Sequence, residues 1–152
     1  MKITYKGEYA LRALLDLSYK YSSKEIVPIT DICKRQKIPE KYLEHIMLIL
    51  KKSGYVDSKR GIGGGFFLKK APKDITLGEI IRRVDGPIEP NAGIANAGSD
   101  LRITNEDQKV FDEVWLDVTN AILKVVDHVT FADVMRRADV LRQESKNFNY
   151  II

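Results

Sequence analysis

The sequence of 152 residues predicts a mostly α-helical protein with one small β-hairpin. Three observations lead to this prediction. Apolar residues recur at intervals of three or four over much of the chain, two short β-type runs flank a glycine-rich stretch, and helix-capping signals separate the apolar runs. The length suits one compact domain, or a small domain with an added oligomerisation element. The apolar fraction of 44% and the charged fraction of 30% are those of an ordinary globular protein.

The first part of the chain predicts three helices. Residues 8–22 place leucines at helical spacing, and Thr30 is a good N-cap for a short helix over residues 30–37. A third helix begins at Pro39, which suits the first helical position, and Gly54 caps its end. Two helices joined by a turn of very few residues, the second with polar groups near its start, match a helix-turn-helix.

A β-hairpin is predicted directly after the third helix. Tyr55 and Val56 lead a short strand, residues 66–68 form another, and the glycines of RGIGGG form the loop between them. A helix-turn-helix followed by such a hairpin is a winged helix.

A fourth helix follows the hairpin. Thr76 and Glu79 form a capping box that opens it, and Gly86-Pro87 stops it. Residues 87–104 contain prolines, small residues and little apolar periodicity, so we expect a loop.

After Asn105 apolar residues recur at helical spacing over about 24 residues. Such a helix is too long and too apolar on one side to be covered by a small winged helix, so we expect it to pair with a second copy of the chain. Thr130 with Asp133 caps a last short helix over residues 131–143. The predicted dimerisation residues are Val110, Phe111, Val114, Trp115, Val118, Ile122 and Val125.

Charge is divided unevenly along the chain. Residues 1–73 carry 16 Lys and Arg against 7 Asp and Glu, a net charge of +9, whereas residues 74–152 carry 9 against 14, a net charge of −5. This asymmetry indicates that the first part contacts a polyanion and that the second part has another task.

The glycine-rich stretch has two readings that involve phosphate. The stretch lacks the pattern G-x-x-x-x-G-K-[ST] of a nucleotide-binding P-loop, and Phe66 stands where a dinucleotide fingerprint needs its last glycine. No helix follows whose N-terminus could receive a phosphate. We therefore do not expect this loop to bind a nucleotide. As a wing, however, the glycines allow the backbone to approach a sugar-phosphate chain or the minor groove, and Arg60 supplies positive charge. A hairpin tip without any partner is the remaining alternative.

The third helix carries side chains that can recognise DNA bases. Glu44 could accept a hydrogen bond from a cytosine amino group, while Lys41 and His45 could reach guanine or phosphate. Tyr42 could instead pack under the wing, and Glu44 could pair with a neighbouring lysine. The predicted DNA-binding residues are Glu40, Lys41, Tyr42, Glu44, His45, Lys52, Lys59, Arg60, Gly61, Gly63 and Gly64. Further phosphate contacts are expected from Lys34, Arg35, Lys37 and Lys51.

Features of an enzyme or of a membrane protein are scarce. His45 and His128 are far apart in the sequence, and Cys33 has no evident base, so we expect no catalytic site. Cys33 is expected as a small buried residue, and its being the single cysteine excludes an intramolecular disulfide. No apolar run approaches the roughly 20 residues of a membrane span, and the N-terminal stretch lacks a signal-peptide pattern. We therefore expect a cytoplasmic protein without membrane contact.

Several stretches resemble the IscR-like (Rrf family) bacterial transcription factors. They are MKITYKGEYALRALLDL, ITDICKRQKIPEKYLEHIMLILKKSGYVDSKRGIGGGFFL, ITLGEIIRRVDGPIEP and VWLDVTNAILKVVDHVTFADV. The resemblance implies a homodimeric winged-helix repressor or activator, with repression as our expectation, whose long C-terminal helices cross between subunits and whose recognition helices enter successive major grooves. It assigns DNA-facing or wing-forming roles to Tyr42, Glu44, Arg60, Gly61, Gly63 and Gly64.

One departure from the family pattern concerns iron. Many members hold an iron–sulfur cluster through three cysteines in the loop before the long helix, but residues 87–104 contain no cysteine. Glu8 stands where some members are thought to supply an acidic ligand, yet one carboxylate cannot replace three thiolates. We therefore expect no cluster, no metal and no other cofactor, as in a member resembling the cysteine-metabolism repressor (CymR-like) or in one whose cysteines were replaced.

These observations divide the chain into three expected parts. Residues 1–73 form the winged helix-turn-helix DNA-binding domain, residues 74–104 form a connecting helix and an effector or cluster-type loop, and residues 105–152 form the dimerisation helix and a C-terminal helix. The expected function is that of a homodimeric, sequence-specific regulator that binds double-stranded DNA with its third helix in the major groove and its wing on the minor groove or backbone. The alternative is a winged-helix interaction module whose main partner is a protein such as a metabolic enzyme.

Overall fold

The computed structural model describes residues 3–89 and 106–149. These ranges contain six α-helices and one two-stranded antiparallel hairpin, which lies between the third and fourth helices along the chain. The elements described are α1 (Tyr5–Ser18), α2 (Ile29–Gln36), α3 (Glu40–Lys52), β1 (Val56–Lys59), β2 (Gly65–Leu68), α4 (Leu77–Asp85), α5 (Glu106–Val126) and α6 (Phe131–Asn149), and a 3-10 turn lies at Pro72–Asp74. The mostly helical winged fold is thus confirmed. Most of the loop predicted over residues 87–104 lies outside the described residues.

One hydrophobic core joins the helix-turn-helix, the hairpin, α4 and the start of α6. Complete burial of a large apolar side chain contributes about 1.5–3 kcal/mol to stability. The stripe of α3 that faces this core has the helical spacing expected from the sequence, so the opposite face of α3 is left in solvent. The fully buried side chains include Leu14, Leu17, Ile32, Leu43, Ile46, Met47, Leu50, Val56, Ile75, Ile80 and Phe131.

Helix α1 begins three residues before the predicted start and ends four residues before the predicted end. The Thr4 hydroxyl oxygen accepts a hydrogen bond from the Gly7 N–H at 3.2 Å, and the Asp85 carboxylate accepts from the Thr4 N–H at 2.9 Å and from its hydroxyl at 2.6 Å. At the other end the Ser18 carbonyl accepts from the Tyr21 N–H at 3.3 Å, which closes a tighter turn than an α-helix allows. The cap from Asp85 comes from α4 and could not be read from the local sequence.

The helix-turn-helix boundaries also differ from those predicted. Pro28, not Thr30, is the N-cap of α2, so Thr30 lies in the first turn of that helix. Pro39 is the N-cap of α3 rather than its first residue, and its carbonyl accepts from the Leu43 N–H at 3.1 Å. Lys37 ends α2 in the left-handed conformation, with φ of 52°. These shifts of one or two residues leave the predicted order of elements unchanged.

The hairpin is anchored to the rest of the domain by a third backbone segment. Val56 pairs with Leu68 in the β1–β2 register, and Tyr55 lies just before β1 rather than in it. Val27, in the segment before α2, exchanges two backbone hydrogen bonds with Phe66, of 2.9 and 2.8 Å. The position of the wing is therefore coupled to the chain that leads into the helix-turn-helix.

The C-terminal helices attach to the winged helix through the start of α6. The Thr130 hydroxyl accepts from the Asp133 N–H at 3.2 Å and the Asp133 carboxylate accepts from the Thr130 N–H at 2.8 Å, so the predicted cap is confirmed. The Phe131 N–H donates to the Ile75 carbonyl at 3.0 Å, and the Phe131 ring enters the core. Helix α6 continues to Asn149, well beyond the predicted end at residue 143.

Candidate nucleic-acid interface

The solvent face of α3 collects six of the predicted DNA-binding residues. All six are exposed, while the opposite stripe of the helix is buried, so the core holds the helix and leaves these side chains available. Leu48, which the sequence did not single out, lies exposed among them. The exposed predicted residues are Glu40, Lys41, Tyr42, Glu44, His45 and Lys52.

Tyr42 does not pack under the wing, which was one interpretation of its place in the sequence. Its ring meets the edge of the Tyr9 ring of α1, with the centroids 6.3 Å apart and the planes at 70°. Tyr9 in turn lies 6.3 Å from Tyr5 and carries the Arg12 guanidinium 5.7 Å from its centroid. An aromatic row thus runs from α1 to the start of α3. The spacing of Tyr5, Tyr9 and Arg12 on one helix face was the only sequence signal for it.

Arg35 is committed to a structural ion pair rather than free for phosphate. Its guanidinium donates to both carboxylate oxygens of Asp16, at 2.9 and 2.8 Å, and Gln36 adds a hydrogen bond of 3.1 Å to the same carboxylate. Only 6% of the Asp16 side chain is exposed. The hydrogen bonds to Asp16 raise the pKa of Arg35, so the guanidinium keeps its charge. This pair joins α1 to α2, the first helix of the helix-turn-helix.

Lys51 is likewise occupied, because it ties α3 to the wing. Its ammonium group lies 3.2 Å from the Asp57 carboxylate and donates to the Ser58 hydroxyl at 2.5 Å. The Ser58 backbone N–H, followed by Lys51, lowers the pKa of Asp57. In contrast, four other cations of the α3 face and wing have no ion-pair partner among residues 3–89 and 106–149. They are Lys41, Lys52, Lys59 and Arg60.

The wing tip is an exposed turn that only glycine can build at two positions. The Gly64 N–H donates to the Gly61 carbonyl at 2.9 Å, and a Cβ on Gly64 would lie 2.5 Å from the Lys59 carbonyl oxygen. A Cβ on Gly65 would overlap the Val27 carbonyl, which the hairpin contacts through its third-segment bridge. Gly65 was absent from the predicted site, although it is what lets the wing approach the domain.

The wing tip is suited to close contact with a nucleic-acid backbone. Gly61 and Gly63 lie at the exposed tip with φ of 91° and 72°, and Ile62 between them is fully exposed. Arg60 precedes this turn without a carboxylate partner in the described chain. A tip with little side-chain bulk and one free guanidinium can approach phosphates or enter a minor groove.

Helix α5 presents an apolar face that the described parts of the chain do not cover. None of its residues is buried, and several large apolar side chains are 37–59% exposed. Ile122 is half-buried. A contiguous apolar surface of this kind marks an association site in a water-soluble protein. The exposed members are Val110, Phe111, Val114, Trp115, Val118 and Val125. Leu116 is also exposed, but helical spacing places it on another side of the helix.

A model of the Rrf2 family, described as an iron-dependent transcriptional regulator, matches residues 3–137. The chain belongs to the Rrf2 family. It is 37% identical to an rrf2-like HTH-type transcriptional regulator of Rhodobacter capsulatus, over 88% of this chain and 91% of that protein. It is 33% identical to the HTH-type transcriptional regulator IscR of Serratia proteamaculans, over 93% of this chain and 83% of that protein.

Solved structures agree with this membership. The global cysteine regulator CymR of B. subtilis superposes with a TM-score of 0.75 at 31% identity, covering 90% of this chain and 98% of CymR. IscR of T. potens superposes with a TM-score of 0.71 at 32% identity, covering 91% of this chain and 88% of IscR. This Rrf2 protein is therefore a DNA-binding transcriptional regulator, and the expectation that it is not an enzyme is confirmed. In the described part of the chain, no helix has the length and apolar character of a membrane span.

The donor groups of this Rrf2 protein do not suit an iron–sulfur cluster held by three thiolates. The whole chain has one cysteine, Cys33, which lies half-buried on α2. Burial, followed by the charge of Glu40, raises the pKa of the Cys33 thiol and so disfavours the thiolate that iron requires. Within the described ranges no group of three or more His, Cys, Asp or Glu side chains could hold a metal ion.

Proposed function

We propose that this Rrf2 protein is a sequence-specific repressor that binds double-stranded DNA as a homodimer, with α3 in the major groove and the wing on the minor groove or backbone. The exposed polar face of α3 carries this proposal. Its buried stripe fixes the helix rigidly against the core, and its solvent face offers both hydrogen-bond acceptors and cations. A side-chain set of this kind can read base edges, which a purely basic surface cannot.

The side chains of α3 divide into two proposed tasks. Glu44 can accept from a cytosine amino group, and Lys41 and His45 can donate to guanine. Lys52, Lys59 and Arg60 supply cations for phosphates, and their contribution falls as salt rises because binding releases counterions. Tyr42, whose ring packs against Tyr9, can contact a base or sugar without a large loss of side-chain freedom.

The homodimer is proposed from the uncovered face of α5. Two copies that bury this face against each other remove it from water, and a two-fold axis makes the same patch serve both copies. The two α3 helices then read half-sites that are about one turn of DNA, roughly 34–36 Å, apart. Repression and a cytoplasmic location remain parts of this proposal.

We further propose that the protein works without an iron–sulfur cluster, because its one thiol cannot replace three. The test is the visible absorbance and iron content of the protein purified without oxygen from iron-supplemented cells. We expect no absorbance band beyond the protein's own ultraviolet band and no stoichiometric iron. A stable band with bound iron and sulfide would contradict the proposal.

The DNA test begins with operator sequences that the protein selects from a random pool. The selected duplex is titrated against a scrambled duplex of equal length over a series of salt concentrations. We expect at least a thousandfold preference, roughly 4 kcal/mol, for the selected duplex and a steep loss of affinity with salt. Equal binding of both duplexes would reject the regulator proposal in favour of an interaction module with a protein partner.

Arg60→Ala tests the wing separately, with Lys73→Ala as its matched control. Lys73 is an exposed residue of the 3-10 turn outside the proposed interface. We expect Arg60→Ala to weaken binding by about tenfold and to reduce the salt dependence, because one phosphate or groove contact is lost. Lys73→Ala should bind as the unaltered protein does, and both variants should sediment as dimers. Loss of the dimer in Arg60→Ala would instead assign that residue a structural role.

A further inference from the structure

A cleft of about 610 Å³ lies between the turn that follows α1 and the strand β2. Its apolar lining includes Leu17, Ile26, Phe67 and Leu68. Leu17 and Leu68 belong to the hydrophobic core, so this part of the wall is firmly placed. Volumes of roughly 300–1,000 Å³ with a mainly apolar lining and a few polar groups are typical of small-molecule sites.

The charged lining of the cleft is mainly positive. Three lysines and one glutamate contribute to it, a net charge of +2. Glu25 is neutralised by Lys20, whose ammonium group lies 2.9 Å from the Glu25 carboxylate. Lys24 and Lys69 have no ion-pair partner in the described parts of the chain. Two free cations beside an apolar wall favour a ligand that has one anionic end and an apolar body.

The cleft and the wing share their backbone. Phe67 and Leu68 are residues of β2, and Lys69 follows directly. Ile26 precedes Val27, which exchanges hydrogen bonds of 2.9 and 2.8 Å with Phe66. A ligand between the turn and β2 therefore contacts Ile26 and Phe67, the chain neighbours of the bridge partners Val27 and Phe66. The glycine tip lies directly before β2, a few residues from this bridge.

We propose that this cleft is an effector site for a small carboxylic acid with a compact aromatic or branched aliphatic body. The carboxylate lies at Lys24 and Lys69, and the apolar body lies against Phe67 and Leu68. Occupation shifts the wing and so changes the affinity for operator DNA. This last step rests on the proposed function, whereas binding of the acid does not.

The first experiment measures binding to the full chain by calorimetry, with 3-phenylpropionate as the probe and 3-phenylpropionamide as its uncharged match. We expect one site per chain for the acid and at least about tenfold weaker binding of the amide, because the amide lacks the charge that the lysines favour. No binding of the acid up to about 10 mM, or equal binding of acid and amide, would overturn the proposal.

Two pairs of variants locate the site. Ser22 is exposed and lines the cleft, so Ser22→Trp fills it, whereas Ser23→Trp places the same ring on the neighbouring exposed residue outside the lining. Lys24→Asn removes a proposed partner of the ligand carboxylate. Asparagine is chosen because it tolerates the left-handed backbone at this position, where φ is 54°. Lys73→Asn removes an equally exposed lysine elsewhere. We expect Ser22→Trp to abolish acid binding and Lys24→Asn to weaken it by about fivefold, while both controls bind normally.

Acid binding that Ser22→Trp leaves intact would overturn the proposal, since the acid would then bind elsewhere. A change of sedimentation in Ser22→Trp but not in Ser23→Trp would also overturn it, because the cleft would then be a contact between copies.

The second experiment repeats the operator titration with and without the acid. A change in operator affinity of at least about threefold that Ser22→Trp removes supports the effector role. An unchanged affinity overturns that role, and absence of operator specificity would refute the proposed function while leaving the acid-binding result independent of it.

Discussion

The winged helix and helix α5 differ in what covers their apolar side chains. In the winged helix, α1, α3 and α4 turn their apolar faces to one core, where Leu43 and Ile80 are fully buried. In α5, by contrast, no residue is buried, although the spacing of its apolar residues is just as regular. The same helical periodicity therefore serves folding in one region and, in the proposed dimer, association in the other. Contacts within the chain decide which of the two it serves.

The largest expected effect comes from a charge on the α5 face. Val118→Asp places a carboxylate near the centre of the apolar stripe, whereas Asn120→Asp places the same charge on the opposite side of the helix. We expect Val118→Asp to dissociate the dimer and to reduce operator affinity by about 100-fold or more, because the two half-sites are no longer bound together. Asn120→Asp should keep both properties. Sedimentation and operator titration measure them, and a dimeric Val118→Asp protein would show that α5 does not pair.

The next effect tests whether the winged helix is held together by its own contacts. Gly65→Ala forces a methyl group against the Val27 carbonyl. At Gly63 the added methyl group lies in open space, so the cost of Gly63→Ala is that alanine disfavours the left-handed backbone conformation there. We expect a loss of about 3 kcal/mol in the free energy of unfolding for Gly65→Ala and about 1 kcal/mol for Gly63→Ala. Urea unfolding measures both losses, and amide exchange at Val27 and Phe66 reports the broken bridge. Equal losses would mean that the close approach is not required.

A smaller loss is expected from the ion pair that joins α1 to α2. Arg35→Ala leaves the buried Asp16 carboxylate with only Gln36 as a hydrogen-bond partner, which should lower the free energy of unfolding by about 2 kcal/mol. Lys34→Ala changes an exposed neighbour on the same helix and should cost less than about 0.5 kcal/mol. Both values come from urea unfolding at neutral pH. If the two substitutions cost the same, Asp16 is stabilised by something other than Arg35.

The smallest effect lies at the border between folding and recognition. Tyr9→Leu removes the ring edge that Tyr42 contacts, and we expect operator affinity to fall by about threefold to fivefold, in line with an aromatic pair of roughly 0.5–1 kcal/mol. Tyr5→Leu is the control, because it removes the other aromatic neighbour of Tyr9 and keeps the contact between Tyr9 and Tyr42. The scrambled duplex should respond less than the operator. A larger response to Tyr5→Leu than to Tyr9→Leu would point to direct DNA contact by Tyr5.

The elements that were predictable from sequence depend on residues close together in the chain. The capping box of Thr76 and Glu79 and the cap of Thr130 and Asp133 each span three residues, and both form as predicted. The buried stripe of α3 and the hairpin with its glycine loop follow equally short rules. The start of α1 could not be predicted in this way, because half of its cap is Asp85, which is 81 residues from Thr4 in the chain.

The candidate site likewise has one part that was predictable from the sequence and one part that was not. The exposed residues of α3 were predictable, since a helix with one apolar stripe must present its other face to water. The roles of Arg35 and Lys51 were not, because their charge alone does not tell a phosphate contact from an internal ion pair. Distance to Asp16 and Asp57 decides it, and those partners are fixed only when the helices pack.

The sequence by itself determined the type and order of the elements, the exposed face of α3 and the apolar stripe of α5. Periodicity and capping are local, so they act before any tertiary contact exists. Only the tertiary structure decided that Gly65 must admit Val27, that Tyr42 rests on Tyr9, and that a cationic cleft forms beside β2. Each of these joins segments distant in the chain, and their distances are set by how the core packs rather than by any local preference.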